Sequence, residues 1–288
     1  MLFWIFPALG ASISDAVHNL YIKKQTLRLD ALSVSWIRSL WIAILLSPLI
    51  FFFPASPAPL FWGILFVRTT LDTVATVLYV NSIKQSDLSV ALPLIALSPL
   101  FIVIIDFFIT GATPSLAGFF GILLIVAGTY IIHIEKGDKN LFAPFINIYK
   151  DKGSRMMLGV SIIWSITSTI HTIAIKQSNP YFYAGVSGIA IIFFLTVFMF
   201  FKGGFKSQDF ESSSAIPKNI VPGVLGATAQ LFQFIAQSFA PAAYVIAIKR
   251  TSILFSSLLG GFVLKENIKN RIFPTLLVLL GIFLIILK

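Results

Sequence analysis

Apolar residues fall in ten runs, each near the ~20 residues needed to cross the hydrocarbon of a bilayer, with short polar connectors between them. The runs cover roughly 2–22, 31–53, 60–80, 88–109, 115–134, 155–175, 181–201, 218–238, 243–264 and 271–287. None alternates with the period of a barrel strand, so the pattern predicts ten transmembrane helices and an all-α membrane protein. The longest connectors, 135–154 and the Ser-rich 202–217, leave no room for a soluble domain.

Polar positions repeat between two halves of the chain. HNLYIK at 18–23 and HTIAIK at 171–176 close the first run of each half with the same His, Ile and Lys. Residues 1–134 then read as the first five-helix repeat, 135–154 as a connecting loop and 155–288 as the second repeat. Five is odd, so the second copy must thread the membrane with the opposite orientation. Two inverted five-helix repeats are the build of many secondary transporters.

Composition narrows the class further. Apolar residues make up 57% of the chain and charged ones 11%, and mean hydropathy is +0.94, which excludes an ordinary soluble domain. The absence of Cys excludes a disulfide framework and any thiolate nucleophile or ligand. No Lys or Arg precedes the first apolar run, which therefore reads as a retained span rather than a signal peptide. The formal charge of +10 is largely a topology signal. Connectors after the odd-numbered runs hold fifteen Lys and Arg, and the opposite side only Lys176 and Lys288. That asymmetry predicts an integral protein of the plasma (inner) membrane with both termini outside, and it leaves no case for nucleic-acid binding.

Charges inside the runs are the candidates for chemistry, because each costs at least ~2.5–3.5 kcal/mol at a span centre unless it faces protein or water. Arg68, Asp72, Lys249, Arg250 and Asp15 fall there; Arg38 and Asp106 lie nearer span ends, where snorkelling or headgroup water explains them equally well. Arg68 and the Lys249–Arg250 pair sit at similar depth on spans of the same direction, toward the midplane where such transporters bind substrate. Asp72, one helical turn beyond Arg68, is placed to neutralise it, but one carboxylate does not balance three cations. The excess predicts an anionic substrate group.

Neutral polar residues also fall on stripes: Trp164, Ser168 and His171 on one face of the sixth span, and Gln230, Gln233 and Gln237 on one face of the eighth. Interhelical hydrogen bonding accounts for such stripes as readily as substrate contact does. An imidazole inside a span is costly and titrates near neutral pH, so His18 and His171 are read as functional, at opposite mouths of one cavity. His133 reads as a headgroup-facing residue. Paired glycines at 185 and 188, 223 and 226, and 260 and 261 predict close helix packing, and Pro93 and Pro99 predict breaks in the fourth span.

The fourth run, SVALPLIALSPLFIVII from Ser89 followed by Gly111, resembles the drug/metabolite transporter superfamily, EamA-like branch, whose Pro-containing helix ends near a Gly-Glu pair. The second copy shows that ending as Lys265-Glu266, while the first has Gly111-Ala112 and so lacks the acid; Arg38 in SWIRSLW is also familiar from that branch. AIKRTSILFSSLLGG from Ala247 is similar to the Lys-Arg pair of the triose-phosphate and related organophosphate translocators, where the pair grips phosphate. The resemblance implies that role for Lys249 and Arg250, and a ten-helix carrier fold for the whole chain.

The expectation is a secondary transporter moving a small organic metabolite, phosphorylated or carboxylate-bearing, by alternating access. Lys249, Arg250 and Arg68 bind its anionic head, Gln230 and Gln233 select the remainder, and Asp15, Asp72, His18 and His171 are the groups able to carry a proton if coupling is to protons rather than to a counter-substrate. A lipid or lipid-linked flippase, or an amino-acid or drug exporter, fits the same scaffold. There is no Walker A loop, no HExxH and no nucleophile-base pairing, so neither ATP drive, a cofactor nor an enzyme is expected.

Overall fold

The computed structural model describes residues 3–26, 29–85, 94–131, 151–201, 220–255 and 272–287. These form α1 (Ile5–Thr26), α2 (Ala31–Leu46), α3 (Pro59–Gln85), α4 (Ser98–Thr110), α5 (Leu116–Ile131), α6 (Lys152–Lys176), α7 (Pro180–Phe201), α8 (Ile220–Phe239), α9 (Ala242–Arg250) and α10 (Ile272–Ile286), with no strand among the described residues. His133, Pro93, Gly260, Gly261, Lys265, Glu266 and most of the connector cations lie outside the described residues.

Helix limits follow local chemistry. Asp30 and Asp151 cap α2 and α6, their carboxylates accepting from Leu32 N at 3.3 Å and Ser154 N at 2.6 Å. α2 stops seven residues short of the end of its apolar run because Pro48 has no N–H to continue the ladder; one further turn, Leu49–Phe52, follows it. α3 runs to Gln85, five residues past its expected end, and Lys84 there reaches Asp30 at 3.3 Å. The fourth run is interrupted beside Pro99: residues 94–95 are helical, 96–97 form a turn, and α4 starts at Ser98 with Pro99 in its first turn, where its missing N–H costs nothing. Gly111 ends that helix in the left-handed region, φ +70°, which only glycine adopts without strain.

Much of the packing is repeated when each helix is exchanged for the one five places on. α3 packs on α6 as α8 packs on α1, α4 on α6 as α9 on α1, α2 on α8 as α7 on α3, and the mates α5 and α10, α2 and α7, and α4 and α9 pack on each other. Gly contacts show the sense of the exchange. Gly121 of α5 lies against the Gly281 carbonyl of α10, whereas Gly128, seven residues on, lies against the Pro274 carbonyl, seven residues back. Gly185 and Gly188 of α7 likewise meet Leu46 and Ala43 of α2 in reverse order. Mate helices are antiparallel, so the two five-helix repeats are inverted.

Burial runs opposite to that of a soluble protein. Phe66, Phe108, Phe200 and Leu116 are exposed, whereas Ser12, Ser35, Thr69, Ser161, Ser165 and Thr169 are buried. Apart from Ser161, whose Oγ has no hydrogen-bond partner among the described residues, these hydroxyls return to carbonyls of their own helix, as in Ser35 Oγ to Ala31 O at 2.8 Å, or bridge helices, as in Ser12 Oγ to Thr251 Oγ1 at 2.8 Å. An apolar belt around a polar interior marks an integral membrane protein. Among the described residues, five helices are long and apolar enough to span, and α4, α5 and residues 273–286 are shorter apolar helices.

Candidate functional site

Side chains of α1, α2, α3, α6, α7, α8 and α9, with Ile95 ahead of α4, converge on a cavity of about 120 Å³ between the two repeats. At ~10–15 Å³ per water on that measure it has room for a small solute. α5 and α10 do not reach it; paired through Gly121, Gly128 and Gly281, they brace the outside.

Four cations line the cavity, Arg38, Arg68, Lys249 and Arg250, with two carboxylates, Asp15 and Asp72. Lys249 and Arg250, about 100° apart on α9, are held by different neighbours. Lys249 Nζ donates to Gln233 Oε1 on α8 at 2.8 Å, and Arg250 Nε donates to Ser98 Oγ on α4 at 2.8 Å. The Arg250 guanidinium also lies 5.7 Å from the Trp164 ring centroid, and that indole packs on Tyr79 at 5.0 Å. Both cations therefore have neutral anchors that fix position without cancelling charge. Arg38 goes further: its buried Nε has no hydrogen-bond partner among the described residues.

Arg68 is different. Its Nε lies 2.8 Å from Asp72 Oδ2 on the next turn of α3, and it is only 2% exposed. The same Asp72 oxygen is 3.4 Å from His171 Nε2, and His171 Nδ1 is 2.6 Å from the Tyr183 hydroxyl. Arg68 closes the ring by lying 5.6 Å from the Tyr183 centroid, and Phe234 packs against both His171 and Tyr183 at 4.9 Å.

The cavity gathers Arg68, Asp72, His171, Gln230, Gln233, Lys249 and Arg250 from the sequence-based candidates. Gln230 also donates to Ser187 Oγ at 3.2 Å, and Gln237 turns aside to the Ser168 carbonyl at 3.4 Å. His18 is buried but is not among the lining residues; it lies behind the wall, where a side chain at Gly226 would come within 3.3 Å of its Nε2, and neither ring nitrogen has a hydrogen-bond partner among the described residues. Arg38 and Asp106 need neither snorkelling nor headgroup water. Arg38 lines the cavity, and Asp106 is buried with its Oδ1 2.5 Å from the Thr169 hydroxyl. Asn19 and Tyr79, joined by a 3.0 Å hydrogen bond, went unremarked in the sequence because one Asn and one Tyr form no stripe.

The two inverted halves that enclose this cavity are each matched by the model of the EamA-like transporter family, at residues 2–134 and 151–287. The chain belongs to the EamA-like transporter family. It is thus a membrane transporter of small solutes, as that family is. A solved crystal structure superposes on it with a TM-score of 0.72 at 15% identity, covering 99% of this chain and 96% of that one, and 27 solved chains match in all. At that identity the likeness concerns the fold alone. No curated protein matches the chain. Family membership agrees with the resemblance at Arg38 and in the fourth run, and carries no substrate with it.

Proposed function

We propose that this EamA-like protein is a secondary transporter of a small organic anion, phosphorylated or carboxylate-bearing, working by alternating access between its inverted halves. The observation that carries the reading is the charge imbalance of the cavity. Of its four cations, only Arg68 has a carboxylate within ion-pair distance among the described residues. Arg38, Lys249 and Arg250 share one further carboxylate, Asp15, which lies beyond ion-pair distance of each, so their charge is incompletely balanced and a bound anion supplies the remainder. Arg38 thus takes the third place that the sequence pattern had assigned to Arg68. Arg250 offers a planar fork and Lys249 a point charge, a pairing suited to phosphate or carboxylate oxygens. Gln230, Gln233 and the Trp164–Tyr79 pair bound the rest of the solute.

The deciding experiment is counterflow into proteoliposomes of labelled glycerol 3-phosphate and malate, with lysine and a neutral amino acid as contrasts. Exchange of the anions, and their raising of the melting temperature of the purified protein, is expected. Exchange of only the cationic or neutral solute overturns the reading.

A further inference from the structure

The anion cradle uses three of the four cations and leaves the fourth in a closed group with Asp72, His171 and Tyr183. We infer that the His171–Asp72 pair is a proton-binding site through which anion uptake is coupled to protons, making the protein an anion–proton symporter. This rests on the anionic substrate proposed above.

Geometry separates His171 from His18, although the sequence repeat treats them alike. His171 lines the cavity and has a partner at each ring nitrogen: Asp72 Oδ2 at 3.4 Å from Nε2 and the Tyr183 hydroxyl at 2.6 Å from Nδ1. His18 is away from the lining and, among the described residues, has a partner at neither. With its single proton on Nε2, neutral His171 faces the carboxylate and accepts the Tyr183 O–H at Nδ1. A second proton at Nδ1 needs only a turn of that hydroxyl, since a phenol oxygen accepts as well as donates. The proton binds without moving a heavy atom. Asp72 steadies the imidazolium, and Arg68, 2.8 Å from the same oxygen, holds Asp72 in place.

The surroundings supply the coupling. The charged and titratable groups around His171 are Arg68 and Asp72 on α3, Tyr183 on α7 and Lys249 on α9; α8 carries no titratable side chain, and Asp106 on α4 is tied to Thr169. With the cavity empty, four cations face two carboxylates, and a further positive charge on His171 is opposed. A bound anion removes that opposition. One unit charge about 10 Å away, at an effective dielectric near 20, alters a binding constant by on the order of tenfold. The effect is reciprocal: a proton on His171 tightens the anion site by the same factor. Anion and proton are then taken up together.

The test is calorimetry of the full-length protein with malate and glycerol 3-phosphate in buffers of different ionisation enthalpy, which reads the protons bound per anion, alongside uptake into proteoliposomes with and without an inward proton gradient. Wild type is expected to take up protons with the anion, to bind it more tightly as pH falls, by at most about threefold per unit and about tenfold in all, and to accumulate it when the gradient is imposed. His171→Gln should bind more weakly, with no linked proton beyond that of the ligand itself, and should lose gradient-driven accumulation. Tyr183→Phe, which removes only the Nδ1 partner, should shift the pH midpoint of binding downward and keeps the test alive if the Gln variant fails to fold. Anion binding and counterflow in wild type without proton uptake, or proton uptake undiminished in His171→Gln, overturns the coupling while leaving the anion reading intact. Failure of every anion to bind removes both.

Discussion

Replacing Arg250 by Lys conserves charge and tests geometry. The guanidinium makes a hydrogen bond from Nε to Ser98 at 2.8 Å, lies 5.7 Å from the Trp164 centroid, and keeps its terminal N–H groups for a ligand. A lysine has no Nε and no plane. It loses the Ser98 anchor, the stacking and the second arm of a bidentate contact; a hydrogen bond to a charged group contributes about 1.5–3 kcal/mol, and cation–π contact about 0.5–2. Part is recovered by the ammonium, leaving a loss of about 2–3 kcal/mol, or roughly 30- to 100-fold in anion affinity at 1.4 kcal/mol per tenfold. Ser98→Ala removes the anchor alone and should weaken binding by roughly tenfold, the lower end of what a hydrogen bond to a charged group contributes. Calorimetric affinity for glycerol 3-phosphate and malate, with counterflow rates for the same variants, measures both. Arg250→Lys and Lys249→Ala proteins that bind and exchange anions as wild type does would refute an anion site on α9.

Asp72→Asn leaves Arg68 as a buried charge without its carboxylate, and should lower stability by about 3–5 kcal/mol in denaturant or thermal unfolding; replacing both Arg68 and Asp72 by apolar residues should recover much of the loss, and an unaltered Asp72→Asn melting temperature would show that the pair is not structural. Gly121→Ala places a Cβ 2.6 Å from the Gly281 carbonyl oxygen, so α5 and α10 must separate at a cost of about 1–3 kcal/mol, seen as a lower melting temperature; Gly281→Ala meets the reciprocal contact and should not add fully to it. The fifteen-to-two distribution of connector cations predicts a C-terminus on the outside: a C-terminal alkaline phosphatase fusion should be active and a C-terminal reporter that works only in the cytoplasm silent, the reverse result overturning the orientation.

Ten spans, an all-α membrane fold and an inverted duplication were legible in the sequence, because span length is set by bilayer thickness and an odd number of crossings reverses direction whatever the packing. The Arg68–Asp72 pair was legible too, since residues four apart on one helix meet regardless of what lies opposite. Partners on other helices were not. Whether Arg38 reaches lipid headgroups or a cavity depends on which helices flank α2, and nothing local in SWIRSLW distinguishes the two. His18 and His171 share a sequence pattern and yet differ in environment, one behind the cavity wall without hydrogen-bond partners among the described residues and the other between a carboxylate and a phenol, because the residues opposite them were not duplicated with them. Periodicity tells which face of a helix a residue occupies, and only the packing of the two halves decides what that face meets.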